Sequence, residues 1–407
     1  MNALVTASAR FTLTPNGTLW TANPSLDYQF WCRYLDVYER IYLFVRAAPC
    51  QTVPDGWIPA TGPGIVAWPI PDSLGLTGFA KDLPHTVKAA QKALAQVDAV
   101  HLRIPCSIGT IVWMLLPAQR PYGVEVVTDP FDVFSPGAVK HPLRPIFRWS
   151  LAFLLQRQCA GASAAAYVTA HALQKRYPPA AGAFSTHFSS IVLRDTAFVP
   201  QPRSSAHERH SWRLVSVGTL AQLYKAPDVL IDAVALGVRE GLDLHATFVG
   251  DGKYRQVLEA QAAGVGLSER VTFVGHLSTK AAIEAHLDAS DLFVLPSHQE
   301  GLPKAMVEAM ARGLPCIGST VGGIPELLPA EDLVPPGDAP ALAQKIRAVV
   351  TAPERMAHMS AWNLAKAREY GEDTLRAKRG SFYRYVQNKT ADWRHTNPAP
   401  IITRSEK

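Results

Sequence analysis

The chain has 407 residues, 48% of them apolar and 18% charged, which is enough for two domains and unlike disordered or fibrous chains. Five cysteines (Cys32, Cys50, Cys106, Cys159 and Cys316) stand far apart without a Cys-x-x-Cys pair, which argues against a disulfide framework or zinc site and for a reducing compartment. A net charge of +6 suits an anionic partner, yet there is no basic run interleaved with aromatics for nucleic acid, no apolar run near the roughly 20 residues that span a bilayer, and no signal-peptide pattern, so a cytoplasmic protein is expected.

The first half alternates short apolar runs with turn residues and helical stretches. Runs at 3–6, 41–45, 65–68, 97–102, 124–128 and 166–169 predict strands, and 28–39 predicts a helix between the first two. This spacing predicts βαβ units and a doubly wound domain over 1–200. Asn16-Gly17, in the loop after the first strand, is a turn signal. The strand at 124–128 runs into Asp129 and Asp132. Carboxylates there suit two roles equally: accepting hydrogen bonds from sugar hydroxyls, or capping a loop. In 141–157, Arg144 and Arg148 share a helical face, with Phe147, Trp149 and Leu151 nearby. A core helix with snorkelling arginines is favoured over one resting on an anionic membrane surface.

Almost no apolar residue occurs from 200 to 211, so 201–211 predicts a linker. A cleaner α/β pattern fills 212–373. Strands are predicted at 213–217, 244–249, 271–274, 292–295 and 316–318. Helices are predicted at 227–238, 254–262, 280–287, 304–311 and 341–350. Segment 374–395, with Phe382, Tyr383, Tyr385, Val386 and Trp393, predicts a terminal helix, and 396–407 a frayed tail. Two doubly wound, Rossmann-like α/β domains facing across a cleft are expected.

Open α/β sheets bind ligands at the carboxyl ends of their strands. Gly218 and Thr219 leave the first C-terminal strand, and Lys225 follows, a cation able to neutralise a diphosphate. Gly250 ends the second strand and permits a tight turn; Val274 and His276 mark the end of the third. After 292–295 the chain reads Pro296-Ser297-His298-Gln299-Glu300-Gly301-Leu302-Pro303-Lys304. Pro303 suits a helix's first turn and Gly313 its stop. Glu300 thus stands at a strand's end and Glu308 inside the next helix. The helix mouth, Gly301, Leu302, Pro303 and Lys304, offers N–H groups to an anion. A nucleotide-sugar fits, with its sugar at one carboxylate, its ribose at the other and diphosphate between. Gly322-Gly323 argues for close backbone packing, and Glu326 for an acid at a helix start.

The frame Pro296-Ser297…Glu300-Gly301…Pro303…Glu308-Ala309-Met310-Ala311-x-Gly313-x-Pro315 resembles the retaining glycosyltransferases of family 4, which have the GT-B fold. The resemblance implies that Glu300 contacts the donor sugar and Glu308 the ribose hydroxyls. It implies a phosphate role for Lys225, with Thr219 standing where the family has arginine and Ala226 where it has glycine. Gly17 would be the one glycine of a loop near the diphosphate, and Gly250 would approach the donor. The backbone near Val274 and His276 would meet the base. The family's histidine near Asp129 and Asp132 is missing; His141 comes later. The implied donor is a UDP- or GDP-linked sugar, used without metal or other cofactor. The implied acceptor is a glycan or lipid-linked saccharide of cell-surface polysaccharide assembly, with peripheral contact at the inner membrane face. The terminal helix would cross back to the first domain. A nucleotide-sugar epimerase, a phosphorylase, a paired-carboxylate hydrolase and a non-catalytic donor-binding subunit are the rivals.

Overall fold

A computed structural model describes residues 1–72, 75–134, 141–204 and 211–397. Most of the expected linker (205–210) and most of the expected tail (398–407) lie outside the described residues.

The first sheet contains β1 (Asn2–Leu13), β2 (Leu19–Thr21), β3 (Arg40–Pro49), β4 (Ile58–Pro59), β5 (Ile65–Ile70), β6 (Ala99–Ile104), β7 (Gly123–Val126), β8 (Ala164–Tyr167) and β9 (Phe184–His187). Its parallel body runs β5-β3-β1-β6-β7-β8-β9, and β2 and β4 extend it antiparallel from the end of β1. The second sheet contains β10 (Ser211–Val217), β11 (Asp243–Val249), β12 (Val271–Gly275), β13 (Leu292–Leu295), β14 (Cys316–Ser319) and β15 (Leu333–Val334). It is parallel throughout, in the order β12-β11-β10-β13-β14-β15. Central strands such as Leu292–Leu295 are buried at every residue, because helices cover both faces and no alternation is needed.

Strand order reverses where β10 and β13 lie side by side, with Leu214 opposite Leu292 and Val215 opposite Phe293. Connections leave such a pair in opposite directions, which opens a crevice at its carboxyl end. The loops carrying Lys225 and Glu300 both enter that crevice.

Two expectations change. The first strand continues past residue 6 to Leu13, through a register shift between Thr6 and Arg10, and folds back as a hairpin with β2. The helix expected over 28–39 is Tyr28–Cys32, capped by Asp27, and turns follow. Tyr34 and Tyr38 in those turns are buried, so aromatic packing shapes the segment after the helix.

The last helix, Glu372–Thr396, lies on the first sheet and buries Phe382 and Tyr383. Tyr383 stacks on Tyr34 at 4.4 Å, and both rings meet His101 of β6 edge-on. His101 Nε2 lies 2.8 Å from the Tyr38 hydroxyl, which itself donates to the Tyr383 carbonyl. The Nε2–H tautomer satisfies both contacts and leaves Nδ1 a buried acceptor without a partner. Burial holds the imidazole pKa down near 4, against a smaller upward pull from Glu125. The unfolded chain therefore takes up this proton at a higher pH than the native one. The His101 contribution to stability is intact above pH 6.5 and declines as pH falls toward 4. The expected loss at this site is on the order of 3 kcal/mol. Urea unfolding of wild type and His101→Gln across that range checks it: the gap between them should shrink on acidification, and a gap that stays constant or widens refutes it.

Candidate active site

β10 ends at Val217, and the chain turns at Gly218. A Cβ on Gly218 would sit 2.2 Å from Lys225 Cδ, so the missing side chain is what lets the lysine stem cross the turn. Lys225 closes a short 3-10 turn (Leu223–Lys225). The next residue, Ala226, has φ +53°, a left-handed conformation more natural to glycine. The Tyr224 carbonyl accepts from His298 N at 2.7 Å, joining this turn to the loop after β13. Lys225 Nζ reaches Glu300 Oε1 at 2.8 Å, with the two side chains 15% and 9% exposed. Ser297 Oγ donates to the same oxygen at 3.0 Å. The two ends of the crevice are thereby joined by a nearly buried ion pair.

Backbone approach explains the neighbouring glycines. A Cβ on Gly322 would fall 1.8 Å from the Glu300 carbonyl oxygen, and one on Gly323 2.7 Å from that of Gly301. Gly323 N in fact donates to the Gly301 carbonyl at 2.7 Å. This contact fixes the Gly301–Leu302 peptide, directly after Glu300. Gly250 presses on the Gly218 carbonyl in the same way, at 1.9 Å for a Cβ. Its requirement comes from this loop-on-loop packing. Thr219 is exposed, and its hydroxyl accepts from Ala221 N within its own turn. Val274 packs against the core, and His276 is exposed.

Glu326 has a role that sequence reasoning assigned to the wrong helix. Its carboxylate accepts from Ala170 N (2.5 Å), His171 N (2.9 Å) and Ala172 N (2.7 Å). These are the free N–H groups before helix Ala172–Arg176 of the first domain, so Glu326 caps across the domain boundary.

Two cavities lie at the mouth of helix Lys304–Ala311, and a third lies against its flank. One of about 240 Å³ is lined by Glu300, Gln299, Tyr224, Thr128, Asp129 and Asp132. A second, of about 190 Å³, shares Gly301 with it and reaches Leu302, Lys304, Arg33, Arg103 and Glu125. A third, of about 30 Å³, holds Glu308 with Lys280 and Glu284. Glu300 and Glu308 thus line different cavities, one at the helix mouth and one on its flank. Burial raises the Glu308 pKa, against Lys280 and Lys304. Burial likewise lowers that of Lys304, and the nearby charges of Arg33, Lys280 and Lys225 lower it further, against Glu308. Lys304 Nζ also bridges the domains to Ser25 Oγ at 2.9 Å.

Arg33 was not singled out from the sequence, where it is one basic residue of an expected helix. Its Nε donates to the Phe30 carbonyl at 2.7 Å, and its guanidinium sits 3.7 Å over the Phe30 ring. Burial brings its pKa down to about 10, and Arg379 and Arg103 contribute in the same direction. Glu125, by contrast, is taken up by Arg103 (2.7 Å) and Tyr34 (2.6 Å). Arg33 and Lys304 therefore leave the second cavity net positive, beside the N–H groups of a helix start.

Of the two aspartates, Asp129 is buried and fully engaged: it caps Phe131 N at 2.8 Å, accepts from Tyr177, and pairs with Arg176. Asp132 is more open and carries a pKa raised by burial and by Asp129, against Arg176. Gly17 sits exposed at the tip of the β1–β2 hairpin, at φ +83° with open space where a Cβ would be. Its glycine suits the turn, which replaces the loop expected there. Helix Arg144–Gly161 covers most of the expected 141–157 segment and meets the favoured core reading on one side only: Leu155 and Cys159 are buried in the first domain's core, whereas Ile146, Trp149 and Phe153 face solvent, and Arg144 and Arg148 donate to the carbonyls of Phe134 and Phe131. Among the described residues, no three His, Cys, Asp or Glu side chains converge to hold a metal ion.

Residues 212–352 match the family model described as Glycosyl transferases group 1. The chain is 27% identical to Protein CapJ of Staphylococcus aureus over 256 residues, covering 62% of this chain and 63% of that protein. It is 36% identical over 140 residues to the amylovoran biosynthesis glycosyltransferase AmsK of Erwinia amylovora, covering 32% and 34%. The chain thus spans less than two thirds of these relatives. Sucrose-phosphate synthase from Thermosynechococcus elongatus superposes with a TM-score of 0.67 at 17% identity, over 95% of this chain and 99% of that one. Anabaena HepE, in complex with UDP-glucose, gives 0.62 at 17% identity, over 96% and 100%. The fold is GT-B.

Replacing Glu326 by alanine should leave three N–H groups at the domain boundary without their acceptor, at about 1–3 kcal/mol. Urea denaturation of Glu326→Ala should show that loss; wild-type stability would mean that the carboxylate is dispensable as a cap.

Proposed function

We propose that this chain, GT-B in fold and with a glycosyl transferases group 1 domain over 212–352, is a glycosyltransferase that carries a sugar from a UDP- or GDP-linked donor to a hydroxyl of a glycan or lipid-linked acceptor. The observation that carries the reading is the Lys225–Glu300 pair, set at the point where strand order reverses and beside a helix mouth lined by Lys304 and Arg33.

A donor diphosphate in the second cavity would meet Arg33, Lys304 and helix N–H groups, and would draw Lys225 from Glu300. The freed Glu300 carboxylate would then accept hydrogen bonds from sugar hydroxyls in the first cavity, opposite Asp132. Glu308 would accept from the ribose diol once the third cavity, at about 30 Å³ too small for a ribose as it stands, widens on binding. In the reaction the bond from the anomeric carbon to the diphosphate oxygen breaks, and a bond to the acceptor oxygen forms. The acceptor proton leaves to the departing phosphate. Negative charge grows on the diphosphate as the bond breaks, so fixed cations there lower the barrier. Retention of anomeric configuration and independence from metal are part of the proposal, on the family resemblance of the Glu300–Glu308 frame. A role in polysaccharide assembly is supported by the similarity to AmsK, an amylovoran biosynthesis glycosyltransferase, and a uridine donor by the UDP-glucose held in HepE.

A thermal-shift screen over nucleoside-diphosphate sugars tests donor binding, since a ligand selective for the native state raises the melting temperature. The hit is then incubated with and without saccharide acceptors. Conversion of the donor without any acceptor would point to an isomerase instead. Lys225→Ala should lower kcat, counted per folded molecule, on the order of 10²–10³-fold, with some loss of melting temperature because Glu300 loses its cation; full turnover would remove the phosphate role. Glu308 keeps its proton to a higher pH than an ordinary carboxyl, and only its ionised form accepts from both ribose hydroxyls. Donor affinity should therefore rise as pH climbs through that raised pKa. Calorimetric titration should show this limb in wild type and not in Glu308→Gln. The same limb in both proteins would assign the titration elsewhere.

A further inference from the structure

We propose that helix Arg144–Gly161 is a docking element for an anionic bilayer, entered by Leu143, Ile146, Trp149 and Phe153. These side chains are 41%, 62%, 66% and 60% exposed. Their spacing of three, three and four residues puts them on one helical face. Solvent gives no reason for four large apolar side chains to line up in this way, whereas a headgroup–acyl boundary does. Trp149 is held in place by its edge-on contact with Phe131, 5.0 Å between ring centres, and amphipathic tryptophans favour that boundary.

Charge selects the occupant. Helix Arg144–Gly161 contains no Asp or Glu and three arginines, Arg144, Arg148 and Arg157, a balance of +3 on the element that carries the apolar face. Arg144 and Arg148 bind carbonyl oxygens, which are neutral partners, and of the two Arg148 lies near the Asp132 carboxylate. A second copy would bring like charge against like, which disfavours self-association through this face. Anionic lipid attracts it, by about 1 kcal/mol for each basic side chain near the surface. Among the described residues no helix is long and apolar enough to cross a membrane, so the contact is with one leaflet.

The position bears on access to the cleft. Phe131, on which Trp149 rests, precedes Asp132 of the first cavity. Docking would bring the mouth of that cavity beside the bilayer, where a lipid-linked hydroxyl is held. Membrane binding is read without turnover, so it stands or falls separately from the transferase reading.

The test is sedimentation of the full chain with vesicles of phosphatidylglycerol and phosphatidylcholine, and with phosphatidylcholine alone. Wild type should pellet with the anionic vesicles, less so as salt is raised, and weakly with the neutral ones. The combined variant Ile146→Ser, Trp149→Ser and Phe153→Ser should lose on the order of tenfold or more in partitioning. Its melting temperature should match wild type, because the changed side chains are exposed; if it does not, Trp149→Ser alone is used, with a smaller loss expected. Equal binding by wild type and variant, or no binding of wild type to anionic vesicles, overturns the proposal. So does light scattering that shows a wild-type dimer and a variant monomer, because a second copy would then cover the face.

Discussion

Lys225 and Glu300 can meet only because β10 and β13 are neighbours. The two residues lie 75 positions apart, on loops that leave adjacent parallel strands in opposite directions. In the crevice between those loops, side chains from both halves of the second sheet converge on a helix start. Gly322 and Gly323 then close on the Glu300–Gly301 backbone, and Gly218 clears the path of the lysine stem. Each glycine is needed for a different approach of chain to chain. The ion pair is the outcome of all of them.

The two domains are fastened by polar contacts as well as by apolar packing. Glu326 caps a helix of the first domain, Lys304 reaches Ser25, and Glu372–Thr396 returns to cover the first sheet. One buried cluster runs from the inner face of the first sheet through Phe188, Ile191 and Leu193 to Leu302 and Met306. These fasteners sit beside the cavities, so domain position and cavity shape are coupled. A ligand that engages Lys304 competes with Ser25 for the same ammonium. Opening and closing of the cleft would then respond to what occupies it.

Where expectation and structure part, the cause is a partner supplied by the fold. Thr219 is drawn into its own turn by Ala221 N, and Asp129 is engaged by Phe131 N, Tyr177 and Arg176, which turns it to capping. Gly17 belongs to a hairpin, because the first strand continues beyond its apolar start and pairs with β2. Arg144 and Arg148 find carbonyl oxygens on the 131–134 segment, so the first turns of their helix show Ile146 and Trp149 to solvent while Leu155 and Cys159 enter the core.

The sequence by itself determined the second domain closely. Its strands are short and mostly apolar, Leu292–Leu295 wholly so, helices such as Pro227–Arg239 and Lys304–Ala311 begin at Pro signals, and 304–311 appears with the predicted bounds. Local patterning suffices there because period, capping and turn chemistry agree. The Glu300–Glu308 frame was legible for the same reason, its spacing being a property of one loop and one helix. Arg33 and the cross-domain grip of Glu326 were not, and neither was the assignment of the two glutamates to separate cavities. Those depend on which residues far apart in the chain come to face one another, and on how much water they lose when they do. Burial, not residue type, shifts the pKa values of Arg33, Lys304 and Glu308. Only the packing of one domain against the other decides burial.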